Sequence, residues 1–164
     1  MVTVIGDSHA NSFKGWGVKV IYLGAVTLKR MSWPDYLIEK AVRKAWGKRY
    51  FIFGEIDIRC HYGDRVKEMI ERYCKRLERL KASGLIAVPP PAPRERAEGS
   101  YPVVNSDEHR VTLTNEFNKQ LKEEAVKRSW KFVDLSHYAE NGFLKEELSD
   151  GNVHIKDKRL RKLL

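Results

Sequence analysis

Three short runs of β-branched and aromatic residues stop dead on a glycine, and this recurrence limits the fold more than any other feature. Val2-Thr3-Val4-Ile5 halts at Gly6, Val18-Lys19-Val20-Ile21-Tyr22-Leu23 at Gly24, and Tyr50-Phe51-Ile52-Phe53 at Gly54. Leu85-Ile86-Ala87-Val88 is a fourth such run, ended by prolines 89–91 that cannot continue a central ladder. Trp130-Lys131-Phe132-Val133-Asp134 is a fifth. Helical patterns fill the gaps. Ser32 as N-cap, Pro34 in the first turn, and Tyr36, Leu37, Ala41 and Ala45 predict a helix over 32–46. Asp64 predicts the cap of a long helix reaching about Ala82, with Val66, Met69, Ile70, Tyr73, Leu77 and Leu80 as its apolar stripe. A third helix starts at Thr112 or Thr114 and carries Phe117, Leu121 and Ala125. Asp157 caps a last one holding Leu160, Leu163 and Leu164. Strands alternating with helices predict one doubly wound α/β domain, residues 1–164, with a five-stranded parallel sheet covered on both faces.

That topology sends Ser8, Gly24, Gly54, the proline loop over 89–107 and the segment after strand five to one edge of the sheet. Ligands of open α/β sheets bind at that edge. Asp7 and Ser8 occupy the turn after the first strand, where free N–H groups of a following helix could face developing negative charge; Ser8 suits a helix cap equally well. Near the other end, Ser149-Asp150-Gly151-Asn152-Val153-His154 offers a histidine able to accept the Ser8 proton, with a nearby carboxylate to orient it. An ordinary surface histidine is the competing reading. Phe53-Gly54-Glu55-Ile56-Asp57-Ile58-Arg59-Cys60-His61 is rich in ionisable groups for a segment leaving a buried strand, and burial would require Asp57 or Glu55 to pair with Arg59.

Composition removes several classes. No apolar run approaches the roughly 20 residues of a membrane span. The N-terminus lacks a signal-peptide pattern, and Cys60 and Cys74 form neither a zinc motif nor a disulfide framework, so a reduced, cytoplasmic protein is expected. The formal charge of +9 would attract anions, but its 31 Lys and Arg interleave with 22 Asp and Glu along the helices. That pattern reads as a solvated face more than a nucleic-acid surface, and it says nothing of oligomeric state.

Taken together, Gly6-Asp7-Ser8, the glycine after strand two, the glycine-led polar block after strand three and the late Asp150…His154 resemble the SGNH (GDSL) hydrolase superfamily. The likeness runs from residue 2 to the terminal helix. It implies a flavodoxin-like, three-layer α/β/α fold and cleavage or transfer of acyl groups from esters, without a cofactor. Gly6-Asp7-Ser8-His9-Ala10 looks like the form attached to sugar O-acyltransferases, and Gly54-Glu55-Ile56-Asp57-Ile58-Arg59 like a divergent branch lacking the usual Gly-x-Asn-Asp. On this resemblance Ser8 is the nucleophile, His154 the base, Asp150 the acid that orients it, and Gly24 an oxyanion donor. Asp7, His9, Gly54, Asp57 and Arg59 become oxyanion or substrate contacts.

Two departures stand out. The third-block Asn falls at Ile56, which has no donor, and Arg59 is expected to replace it. The family acid usually precedes the base by three residues, where this chain has Gly151; Asp150 precedes it by four. The expected substrate is a small acyl ester, O-acetyl on a carbohydrate or another small molecule, with Arg94 and Arg96 tuning its choice. Acyl transfer and a non-catalytic module binding an anionic partner are the alternatives. A dinuclear metal reading of Asp7-x-His9 fails for want of the matching downstream ligand blocks, so no metal is expected.

Overall fold

The structure, a computed structural model, describes residues 1–60, 65–97 and 102–164. Five parallel strands, β1 (Val2–Gly6), β2 (Val18–Tyr22), β3 (Lys48–Ile52), β4 (Gly84–Ile86) and β5 (Lys131–Val133), form one sheet in the order β2-β1-β3-β4-β5. The chain adds β2 on one side of β1 and then crosses back to lay β3 on the other. The sheet therefore reverses direction of growth at β1, and the crevice beyond the ends of β1 and β3 is its switch point.

Alternation along the strands divides the core in two. Ile5, Phe51 and Leu85 point to one face, beneath α1 (Leu28–Met31), α2 (Tyr36–Val42), α4 (Val66–Arg79) and α6 (Asp107–Lys127). Val4, Tyr50, Ile52, Ile86 and Val133 point to the other, which is covered by a 3₁₀ stretch, Ser8–Phe13, and by the segment from Leu135 to Leu164. Both clusters are built from side chains close to full burial, each contributing about 1.5–3 kcal/mol. The result is a three-layer α/β/α arrangement. Among the described residues no helix is long and apolar enough to cross a membrane.

Several element boundaries differ from the expected ones, each for a local reason. The helix expected over 32–46 is two. Thr27 caps α1 through a bond from the Arg30 N–H, and Ser32 ends that helix instead of starting one. Asp35 then caps α2 by accepting from the Leu37 and Ile38 N–H groups, and α2 stops at Val42. Helix α6 starts at Asp107, capped by Ser106, several residues before Thr112 and Thr114. Among the described residues of the 89–107 loop, Arg94–Ala97 form a helical turn, α5. At the C-terminus Asp157 binds the Arg159 N–H, but only a single 3₁₀ turn, Leu160–Leu163, follows. The expected cap Asp64 and the neighbouring His61 lie outside the described residues. A further short helix, α3 (Glu55–Cys60), was not expected, and it shapes the site.

Candidate active site

Gly6 ends β1 because nothing larger fits: a Cβ there would lie 2.5 Å from both the Ile52 carbonyl oxygen and its Cγ2. The chain then turns into the 3₁₀ stretch with Asp7 as cap, its Oδ1 accepting the His9 N–H at 3.0 Å and its carbonyl accepting from Ala10 at 3.1 Å. Ser8 is left at the switch-point edge. Its N–H and that of Gly24, which follows β2, have no hydrogen-bond partner among the described residues. Gly54 follows β3 and opens α3, its carbonyl accepting from Ile58 at 3.0 Å.

From the far end of the chain, residues 149–155 fold into a small hairpin over this edge. Ser149 and Ile155 pair as an antiparallel bridge, and the Asp150 N–H donates to the His154 carbonyl at 3.0 Å. The Asp150 side chain frames the turn: Oδ1 accepts from the N–H groups of Asn152 at 2.9 Å and His154 at 3.2 Å. Its Oδ2 lies 2.8 Å from His154 Nδ1, and His154 Nε2 lies 2.9 Å from Ser8 Oγ. A spacing of four residues thus suffices for acid and base to meet. Gly151, at φ +87°, takes up the extra residue in a backbone conformation that costs glycine little. Electrostatics suit a proton relay. Burial and the nearby His9 hold His154 below the usual imidazole value, against the pull of Asp150. Burial opposes ionisation of Asp150, but the His154 contact and two backbone N–H groups outweigh it and keep its carboxyl below the usual range.

Four expected contacts of substrate or oxyanion lie below the surface instead. Asp7, His9, Asp57 and Arg59 are 1%, 3%, 3% and 4% exposed, and Glu55 joins them at 6%. Asp57 Oδ2 accepts the Leu28 N–H at 2.7 Å, anchoring α1. Arg59 Nη2 donates to Glu55 Oε2 at 3.0 Å, so the pairing partner is Glu55 and the guanidinium is committed inside the protein, not presented at the edge. The physical reason is α3: four residues apart on a helix, Glu55 and Arg59 face each other. Burial pushes the Asp7 carboxyl up to about 6, and its Oδ2 is buried without a hydrogen-bond partner among the described residues. Burial works against charge on both His9 and Glu55, yet their mutual contact prevails, raising His9 and lowering Glu55. Among the described residues no group of three His, Cys, Asp or Glu side chains is arranged to hold a metal ion.

Arg94 and Arg96 were expected to face substrate. Arg94 Nη2 instead binds the Val103 and Asn105 carbonyls, closing its own loop. Arg96 donates to the Leu144 carbonyl and, at 3.2 Å, to Ser149 Oγ, which also accepts the Gly151 N–H at 2.9 Å. With Val153 packed on Ala92 and Ala97, the proline loop braces the hairpin that carries His154. Sequence reasoning missed this brace, since an arginine aimed at a serine hydroxyl 53 residues away leaves no local pattern.

Neither a family model nor a curated protein matches the sequence. Solved structures do match. A protein assigned as an acylhydrolase from Bacteroides fragilis superposes with a TM-score of 0.65 at 17% identity, covering 99% of this chain and 81% of that one. A member of the lipolytic G-D-S-L family from Veillonella parvula gives 0.55 at 16% identity, covering 99% and 92%. The fold is that of the SGNH hydrolases. An acetylxylan esterase from Geobacillus stearothermophilus shares it, with a TM-score of 0.54 at 15% identity over 99% and 89% of the two chains; that structure is of a catalytic Ser→Ala mutant, and a companion is of a catalytic Asp→Ala mutant. Within the SGNH fold of this chain, Ser8, His154 and Asp150 meet at the switch-point edge, while the block after β3 turns inward.

Proposed function

We propose that the protein is a serine esterase that removes a small acyl group, O-acetyl in the first instance, from a carbohydrate ester. One observation carries the reading: the unbroken chain of contacts from Ser8 Oγ to His154 Nε2 at 2.9 Å and from His154 Nδ1 to Asp150 at 2.8 Å. Ser8 Oγ attacks the ester carbonyl carbon and its proton passes to His154 Nε2, while Asp150 holds the Nδ1 proton and the ring orientation. The oxyanion of the tetrahedral intermediate is met by the Ser8 and Gly24 N–H groups. Donors of this kind contribute about 3–4 kcal/mol each. Collapse breaks the bond to the alcohol, which leaves with the proton from His154. Water, activated by the same histidine, then releases the acid from Ser8. The carbohydrate assignment leans on the acetylxylan esterase of the same fold.

The non-catalytic alternative draws on Ile56, which gives the third block no side-chain donor. A fluorophosphonate probe separates the two readings. Covalent labelling mapped to Ser8, absent in Ser8→Ala, together with acetate release from acetylated xylan, supports the esterase. A folded protein that takes no label and releases no acetate from any acetyl ester overturns it.

A further inference from the structure

The reaction above gives no task to His9, the residue directly after the candidate nucleophile. Its side chain is 3% exposed, and its ring lies against that of His154, with centroids 4.9 Å apart and planes tilted by 49°. On its other side, Nε2 is 3.6 Å from Glu55 Oε2, the same oxygen that accepts from Arg59 Nη2 at 3.0 Å. Glu55 is thus a buried carboxylate flanked by two basic groups, its ion-pair partner Arg59 and the His9 ring, and a buried negative charge favours the protonated form of an imidazole beside it. The geometry points to a positioning residue: we propose that His9, held as a cation by Glu55, sets its charge against His154 and keeps that imidazole unprotonated and available to Ser8 down to mildly acidic pH. The inference rests on Ser8 as nucleophile and His154 as base.

Burial is the largest influence on His9 and opposes its charge, but the carboxylates around it outweigh that. From its own turn Asp7 favours the cation, as does Glu55 from α3; burial and Arg59 oppose it, and the net shift is upward. Asp57, also on α3, is bonded to the Leu28 N–H, and the Tyr73 hydroxyl on α4 is buried near Asp7 and Asp57. On the hairpin side, His154 feels burial and the His9 charge downward and Asp150 and Glu55 upward, with a net shift downward. A like charge at this range disfavours the protonated form of its neighbour. The consequence is a base that stays free at lower pH, at some cost in basicity that the Asp150 contact offsets.

The test is an NMR proton titration of His154 in the wild type and in His9→Gln, run beside the pH profile of kcat/KM for an acetyl ester. Removing the cation should raise the His154 midpoint by about one pH unit, the scale of a like charge near 5 Å after solvent screening. The acid limb of kcat/KM should rise with it. His9→Asn, smaller and equally neutral, should do the same and serves if the Gln variant does not fold. An unmoved His154 midpoint in a folded variant overturns the proposal. A midpoint that rises without any movement of the acid limb supports the His9–His154 contact but overturns the reading of His154 as the base.

Discussion

The two halves of the candidate site are held in opposite ways. Ser8 stands on a turn fixed by β1 and β3, backed by Asp7, His9, Glu55, Asp57 and Arg59, none more than 6% exposed. The Asp150 and His154 side chains keep 37% and 28% of their exposure, on a hairpin framed by short-range bonds and one arginine from the proline loop. The first half is built by the sheet and its buried charges. The second is built by short-range bonds centred on Asp150, which frames the turn and partners the imidazole, and is braced from outside by Arg96 and the packing of Val153. Substitutions on the hairpin should therefore cost activity with little stability, and those in the buried layer stability first.

The largest effects test the hairpin side and its target. Ser8→Ala should lower kcat by about 10⁴-fold or more, with the unfolding free energy within about 0.5 kcal/mol of wild type. Asp150→Asn keeps an oxygen for the Asn152 and His154 N–H groups but can no longer hold the imidazole in the required tautomer. Its kcat should fall by about 10³–10⁴-fold with a similarly small change in stability. If Asp150→Asn unfolds the domain instead, the hairpin is part of the global fold and the contrast fails.

Next in size is the buried layer. Arg59→Met strips Glu55 of its 3.0 Å donor and should cost about 3–5 kcal/mol of stability. The kcat per folded molecule should stay within roughly tenfold of wild type. Denaturant unfolding and active-site titration on the same preparation separate the two quantities. A large loss of kcat at an unchanged midpoint would return Arg59 to the reaction itself, as donor to the oxyanion.

Asp7 gives a pH-dependent version of the same idea. Its folded-state carboxyl is raised to about 6, above the ordinary value of 3.8. A raised acid binds its proton more tightly folded than unfolded. Its contribution to stability is full below the unfolded value and is lost as pH climbs through about 6. Asp7→Asn keeps the oxygen that caps His9 and has no such slope. The variant should therefore gain on wild type between about pH 4 and 7, by about 2–3 kcal/mol at the upper end. Melting curves across that range check it; a difference independent of pH sinks the account of Asp7.

How much of this was legible follows the same division. The sheet was, because glycine and proline stops and β-branched runs are local signals that tertiary packing reinforced. Ser8, Asp150 and His154 were placed together because strand C-termini share one edge and because the spacing to Asp150 was close to the family's. The buried layer was hidden. Glu55, Asp57 and Arg59 read as a polar exit from β3, since burial of charge contradicts the apolar periodicity by which helices are recognised, and α3 went unseen for that reason. The start of α6 was missed in the same way: its first turn, Asp107-Glu108-His109-Arg110, is wholly polar, yet Arg110 is 1% exposed and donates to the Ala92 carbonyl. The His9–His154 contact joins residues 145 apart in sequence and had no signal at all.

The smallest expected effect is also the finest test of the contrast. Gly151 sits at φ +87°, and a Cβ there would meet nothing within 4 Å. Gly151→Ala therefore carries only a backbone penalty, of about 1–2 kcal/mol, with no clash to add to it. Part of that strain can be relieved by opening the hairpin, which loosens the Ser149–Gly151 bond and tilts His154 away from Ser8. We expect a drop in kcat of less than tenfold and a stability loss of about 1 kcal/mol, both partly recovered in Gly151→Asn, since Asn tolerates the left-handed region. The matching change on the other half, Gly6→Ala, drives a methyl to 2.5 Å from Ile52 and has no hairpin to open, so the fold itself must give way. If Gly151→Ala proves as damaging to stability as Gly6→Ala, the hairpin is not an independent piece of structure, and the two halves of the site are held by one framework after all.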